Sequence, residues 1–351
     1  MEDKLVRVGV SIGDPNGIGM EVIIKTFMDN RMMQMCTPIV YASSKTASFH
    51  RKALGISDFS FNFIKTAEQA NPKNANLINV WEEEIVIELG KDTPSGGKYA
   101  LKSFEAALKD LKEGKIDVLV TAPLNKHNIP SEKSQFIGHT EFLTNYFAAQ
   151  EHLMMMVGDE LRIATVTGHI PLSQVASALS TQKIEIKAKI FLKSLSEDFG
   201  IRKPKIALLG LNPHAGDNGL LGKEEETIIL PAINNLKNEG HLVYGPFGAD
   251  GFFGSGNFTK FDGILSMYHD QGLVPFKTLA FENGVNFTAG LSVVRTSPDH
   301  GTAYDIAGKN CANEQSFRSA VYLAVDIFNQ RNNLNEISAN PLKVSFQKRE
   351  R

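Results

Sequence analysis

A chain of 351 residues, 42% hydrophobic and 22% charged, has the composition of a globular enzyme, long enough for two lobes and short for three domains. Its formal net charge of -2 gives no global field for nucleic acid or an anionic membrane surface, so any anion must be held by a local cluster of cations. The only cysteines, Cys36 and Cys311, exclude a disulfide framework and a cysteine-based zinc site. The amino terminus runs into a strand pattern without a signal-peptide core, and no run approaches transmembrane length, so a reduced, cytoplasmic setting is expected.

Residues 5–11 predict a first strand. Gly13-Asp14-Pro15-Asn16-Gly17-Ile18-Gly19 follows, and helical spacing runs from Met20 to Met28. A strand, a Gly-rich turn and a helix start can together cradle a phosphate, because amides at a helix N-terminus point outward. The glycine spacing matches neither the dinucleotide fingerprint nor a Walker loop, so a tight structural turn and a ligand-facing loop both stay open. Residues 39–42 predict a second strand and 70–76 a polar loop. Ser95-Gly96-Gly97 breaks the chain ahead of a helix with Leu101, Phe104, Leu108 and Leu111 on one face and Gly114 as its stop. Residues 116–120 then read as a strand ending in Thr121-Ala122-Pro123-Leu124-Asn125-Lys126, an alternation that argues for a parallel α/β sheet. Gly138-His139-Thr140-Glu141 opens another helical run; Thr140 reads as a cap, and His139 as a ligand contact or a surface residue.

The middle of the chain repeats one arrangement. Strand patterns at 162–166, 205–209 and 263–268 are each followed, one to five residues on, by a histidine: His169, His214 and His269. That edge is where open α/β sheets bind ligands, and three imidazoles suit a divalent cation such as zinc or cobalt. Coincidence among nine histidines is the competing reading. His127, His152 and His241 lack such placement, and Met154 to Met156 read as core. Residues 224–236 predict a helix and 242–244 a strand, followed by a Gly-rich segment, 245–254, that carries Asp250.

The polar quartet His269-Asp270-Gln271-Gly272 reads as the exit of a strand into a functional loop. Lys277, Asn286 and Arg295 follow among apolar, Gly-rich strand signals. Arg suits phosphate or carboxylate; Lys can act as a point charge or, if desolvated, as a base. The alternative is a solvated surface pair, against which the apolar surroundings argue. This region therefore reads as one wall of a site for an anionic substrate. A helix at about 314–330 and a polar, fraying tail from Arg331 end the chain.

Taken in order, the motifs of the Gly13 turn, the Thr121 to Lys126 segment, His139-Thr140, Thr167-Gly168-His169, Asn212-Pro213-His214-Ala215-Gly216, Tyr268-His269-Asp270-Gln271-Gly272 and Arg295-Thr296-Ser297 resemble the 4-hydroxythreonine-4-phosphate dehydrogenase family of pyridoxal 5'-phosphate biosynthesis. The resemblance spans residues 8–309. The segment 300–309 also resembles the cofactor loop of isocitrate and isopropylmalate dehydrogenases, whose fold that family shares, with Tyr304 where those relatives carry Pro.

The resemblance implies an α/β fold of two α/β/α lobes around a central cleft: a large lobe of 1–140 plus 301–351 and a second lobe of 141–300. It implies a homodimer whose metal and substrate site is shared between subunits. His169, His214 and His269 match ligands of one divalent metal (zinc, cobalt or magnesium). His139, Thr140, Lys277, Asn286 and Arg295 match contacts to a small phosphorylated substrate, with Lys277 the candidate for proton transfer. His300, Gly301 and Asp305 fall on the loop expected to bind NAD or NADP. The implied reaction is oxidation of 4-phosphooxy-L-threonine at its 3-hydroxyl, then decarboxylation to 3-amino-2-oxopropyl phosphate. A paralogue acting on 4-phosphorylated threonate or erythronate is the rival within the resemblance, and a metal-dependent phosphatase the rival outside it.

Overall fold

Twelve strands form one continuous sheet in the computed structural model, which describes residues 5–129 and 138–340. In chain order they are β1 (Arg7–Ser11), β2 (Thr37–Ala42), β3 (Asn62–Ile64), β4 (Asn76–Asn79), β5 (Val118–Thr121), β6 (Leu153–Gly158), β7 (Leu161–Thr165), β8 (Lys205–Leu209), β9 (Leu242–Phe247), β10 (Gly263–Ser266), β11 (Val285–Ala289) and β12 (Val294–Pro298). Their spatial order is β3-β4-β2-β1-β5-β12-β11-β6-β7-β10-β8-β9. From β3 to β12 neighbours are parallel, and so are β7, β10, β8 and β9. Between them the β12–β11, β11–β6 and β6–β7 pairs are antiparallel. Three reversals leave the two parallel halves pointing in opposite directions along the sheet. The strands that precede His169, His214 and His269 all lie in one half, and β5 and β12 lie in the other.

The inner strands β1, β2, β5, β10 and β12 are buried because their β-branched and aliphatic residues pack on both faces, the composition expected of parallel strands covered by helices, whereas the edge strands β3 and β9 are partly exposed. The helix Gln315–Ala339 buries Phe317, Val321 and Ala324 on one side and packs on β12 and β5. It runs nine residues past the expected end at 330. Arg331, expected to begin a fraying tail, instead donates from Nε to Asp198 Oδ1 at 2.6 Å and from Nη1 to the Leu291 carbonyl at 3.2 Å. Of the methionines expected in the core, Met155 and Met156 are buried in β6 and Met154 is half-buried.

Three local expectations are corrected. His269 opens the helix His269–Ala280 rather than a loop. Asp270 lies in the first turn, where a carboxylate meets the positive end of the helix, and Gln271 Oε1 accepts from the Met267 amide at 2.7 Å, so the polar quartet is a helix start. Gly96 and Gly97 lie inside the helix Pro94–Lys112, capped by Thr93, and do not break the chain before it. They are small because a Cβ at Gly96 would stand 2.5 Å from Asp14 Oδ1, and one at Gly97 would overlap the Asn128 carbonyl. Asn76, expected in a loop, begins β4; its buried amide donates to the Pro38, Asn71 and Asn74 carbonyls and gathers the preceding turn. Among the described residues no helix is long and apolar enough to cross a membrane.

Candidate active site

A cavity of about 390 Å³ is lined by the end of β5, by β12, by Asn286 of β11, by the start of the helix His139–Tyr146 and by the turns carrying His169 and His300. Of the expected site residues His139, Thr140, His169, Asn286, Arg295, His300 and Gly301 line it. Lys277 and His269 each touch a residue at its rim, whereas His214 and Asp305 do not line it.

Arg295 is the cation the cavity is built on. All five residues of β12 are buried, and the Arg295 side chain is 4% exposed. Its Nε and Nη2 donate to Thr121 Oγ1 at 3.1 and 2.6 Å, and Nη1 to Thr288 Oγ1 at 3.5 Å. Burial pulls its pKa down to about 10, opposed by the charge of Glu141. A buried guanidinium held by hydroxyls keeps a large desolvation cost that an anion in the cavity would offset.

His139 sits beside it at the first residue of the helix His139–Tyr146, edge-on to Phe104 with ring centroids 4.8 Å apart. Burial first, then the charges of Arg295 and Lys126, push its pKa well below the ordinary imidazole value, so the ring is neutral. Asn286 Oδ1 is buried with no hydrogen-bond partner among the described residues, and so are Asp299 Oδ2 and His300 Nε2. Buried polar atoms are normally satisfied. Three orphans around one cavity mark it as shaped for polar ligand groups. His300 Nδ1 lies 3.0 Å from the Gly301 carbonyl, which leaves Nε2 as the acceptor if Nδ1 carries the proton.

Lys277 projects from the helix His269–Ala280 and reaches the cavity through Asp299, Nζ to Oδ1 at 3.1 Å. Burial raises the Asp299 pKa and the Lys277 charge opposes that rise.

The histidine trio is only partly assembled. His169 and His269 are neighbours, ring centroids 5.3 Å apart and tilted by 47°. Burial lowers the His169 pKa, helped by Lys126 and His269. His269 Nδ1 lies 2.7 Å from Asp270 Oδ1, the carboxylate–imidazole arrangement that aims the opposite nitrogen at a metal. His214 lies on the turn Pro213–Gly216 with φ 54° and lines a different cavity of about 530 Å³, with Phe247, Gly248 and Asp250. Gln271 ties the two regions: its Nε2 donates to the Gly210 carbonyl at 2.6 Å and its Oε1 accepts from Met267. Among the described residues no three His, Cys, Asp or Glu side chains converge closely enough to hold a metal ion. The donors of the His169–His269 pair nonetheless fit a borderline cation, being imidazoles with one ring already oriented by a carboxylate.

Several residues of the site were not singled out from the sequence. Thr121 was visible only as the polar end of an apolar strand, and Asp299 as an acidic neighbour of His300. Lys126 ends the segment 121–126 and Glu141 the segment 138–141, neither with a pattern of its own. Asp250 lines the His214 cavity rather than the one around Arg295.

A buried cation facing orphaned polar atoms, at the junction of two parallel half-sheets, defines an α/β enzyme that handles a small anionic substrate. The chain belongs to the family of the pyridoxal phosphate biosynthetic protein PdxA, whose family model matches residues 34–324. It is 50% identical over 347 residues to a 4-hydroxythreonine-4-phosphate dehydrogenase of Bacteroides thetaiotaomicron, covering 99% of this chain and 95% of that one. It is 39% identical over 321 residues to the enzyme of the same name from a Sulfurihydrogenibium species, covering 92% and 98%. The crystal structure of a 4-hydroxythreonine-4-phosphate dehydrogenase from Klebsiella pneumoniae superposes with a TM-score of 0.79 at 31% identity, covering 93% of this chain and 100% of that one.

Proposed function

We propose that this chain oxidises 4-phosphooxy-L-threonine with NAD or NADP and releases carbon dioxide to give 3-amino-2-oxopropyl phosphate, a step toward pyridoxal 5'-phosphate. Family membership and near-full-length similarity to two 4-hydroxythreonine-4-phosphate dehydrogenases support the reaction. The observation that carries the substrate class is Arg295, buried and held by Thr121 and Thr288 hydroxyls.

Arg295 and Thr140 hold anionic substrate oxygens. Asn286 Oδ1, which has no partner among the described residues, accepts a hydrogen bond from a substrate donor, and neutral His139 adds a contact without adding charge. Lys277, its own proton first passed to the neighbouring Asp299 carboxylate, takes the hydroxyl proton. A divalent cation, when bound by His169, His214 and His269, supplies Lewis-acid polarisation of the reacting substrate oxygen. His300, Gly301 and Asp305 hold the nicotinamide cofactor.

The proposed unit is a homodimer sharing this site. Leu172, Leu220 and Phe281 are 72%, 78% and 69% exposed, and each follows one of the three histidines along the chain. Large apolar side chains on a surface are the material of an interface. The proposed lobes are 1–140 with 301–351 against 141–300; the pairing of β12 with β5 favours moving residues 294–298 to the first lobe.

The test is to assay the protein with zinc, NAD or NADP, and either 4-phosphooxy-L-threonine or 4-phosphothreonate, following reduced nicotinamide and carbon dioxide. The proposal expects both products from the amino substrate at the higher kcat/KM. A preference for the threonate would move the substrate assignment, and phosphate release without reduced nicotinamide would overturn the reaction.

A further inference from the structure

We infer that Glu225 is the positioning residue for His214: its carboxylate fixes the turn that presents this imidazole. The inference rests on the reading of His214 as a metal ligand. Glu225 is 2% exposed, yet its hydrogen-bond partners are neutral donors. Oε1 accepts from the Leu211 and Asn212 amides, both at 2.7 Å, and Oε2 from Asn212 Nδ2 at 2.9 Å. These are the residues just ahead of the turn Pro213–Gly216.

That turn needs an external restraint. His214, Ala215, Asp217 and Asn218 have φ of 54°, 52°, 43° and 53°, a left-handed conformation that non-glycine residues seldom adopt and that persists only where the surroundings over-determine it. Glycine stands where the carboxylate presses closest on the turn: a Cβ on Gly216 would lie 2.7 Å from Glu225 Oε2, while one on Gly210 would meet Ala215 Cα at 2.9 Å and Glu225 Oε1 at 3.1 Å. Glu225 also opens the single π-helical turn Glu225–Ile229, which runs into the helix Leu230–Asn238. Such turns concentrate at functional positions because they re-aim a side chain. Here the effect is to aim a carboxylate at the amides feeding His214 while the following helix packs normally.

An ordinary stabilising carboxylate would affect the whole fold; a positioning one acts through His214. Zinc affinity, measured by competition with a chromophoric chelator, separates the two for the wild type, Glu225→Gln, His214→Ala and the double variant. Gln keeps the shape but turns an amide toward donors that need an acceptor. Loss of a group supporting a ligand typically weakens metal binding by 10–100-fold. We expect Glu225→Gln to weaken zinc binding by at least about tenfold, and the double variant to bind no worse than His214→Ala alone. Hydrogen exchange of residues 211–219, measured without metal, should accelerate in Glu225→Gln. An equal loss with and without His214 overturns the inference. If His214→Ala leaves zinc affinity unchanged, the ligand reading has failed, and unaltered exchange of 211–219 then overturns the role of Glu225 as well. Should Glu225→Gln not fold, Glu225→Asp, which withdraws the carboxylate by one methylene, is subjected to the same comparison.

Discussion

Tyr304 Oη donates to Asp14 Oδ2 at 2.7 Å, joining residues 290 positions apart. The same oxygen accepts from Asn128 Nδ2 at 2.8 Å, and Asp14 Oδ1 accepts from the Asn16 amide at 2.8 Å. The Ile18 amide donates to the Thr302 carbonyl at 3.0 Å, and a Cβ on Gly17 would stand 2.7 Å from that carbonyl. The Gly-rich turn after β1 is thus the dock for the loop proposed to hold the nicotinamide cofactor. Asp14 and Asn16 are buried in it, which decides for the structural turn over the ligand-facing loop.

Tyr304→Phe removes one hydrogen bond to a carboxylate, a contact worth about 1.5–3 kcal/mol, while Asn128 and the Asn16 amide remain. The expected outcome is a KM for NAD or NADP raised by about tenfold with the KM for the phosphorylated substrate unmoved. Steady-state kinetics on both substrates check it. An unchanged cofactor constant removes the reason for placing the cofactor on this loop.

His50 yields a pH dependence of stability. Its ring is 2% exposed, with Nε2 2.9 Å from the Pro15 carbonyl. Burial lowers its pKa from 6.5 to about 4, with the carbonyl opposing. Because the folded-state pKa is the lower one, the unfolded chain binds the proton first. The contribution is therefore complete above pH 6.5 and lost as the pH falls toward 4. The shift corresponds to a few kcal/mol, on the order of 3. Urea unfolding of the wild type and His50→Gln at about pH 7 and about pH 4.5 should show a shallower pH dependence in the variant. Parallel curves would mean that another group sets the acid limb.

Alternation of strands and helices, and the recurrence of a histidine past three strands, were legible because both follow from local pattern. The π-helical turn at Glu225 and the helix start at His269 were not. Each is set by a side chain reaching to another segment, Glu225 to the Leu211 and Asn212 amides and Gln271 to Gly210 and Met267. Gly96 and Gly97 misled for the same reason: glycine marks a breaker by propensity, and here it marks the approach of Asp14 and Asn128. Arg295 was legible as a cation in an apolar run, but its hydroxyl partner Thr121 lies 174 residues away, beyond any periodicity.

Replacing Arg295 with Lys keeps the charge and removes the planar fork. Two of the three guanidinium nitrogens are held by Thr121, so the variant loses both the fixed direction and the paired hydrogen bonds to an anion. A charged hydrogen bond of about 1.5–3 kcal/mol predicts a rise of roughly ten- to hundredfold in KM for the phosphorylated substrate, with the cofactor KM little changed. A rise confined to the cofactor would assign Arg295 to the wrong ligand.

Lys277 can be tested as a proton carrier because its charge and its proton can be separated. Its Nζ lies 3.1 Å from Asp299 Oδ1, and its charge opposes the burial that raises the Asp299 pKa. Lys277→Arg keeps a cation beside Asp299 but installs a group that does not give up its proton in proteins; Lys277→Met removes both. If Lys277 accepts the substrate hydroxyl proton, both variants lose the contribution of a positioned acid–base group, about 10²–10⁴-fold in kcat. Only the Met variant also lets the Asp299 pKa climb, so its pH profile alone should show the acidic limb displaced upward. Rapid-quench measurement of the chemical step across pH reads both effects. A Lys277→Arg enzyme with kcat near wild type would reduce Lys277 to the counter-charge of Asp299 and leave the proton to another group.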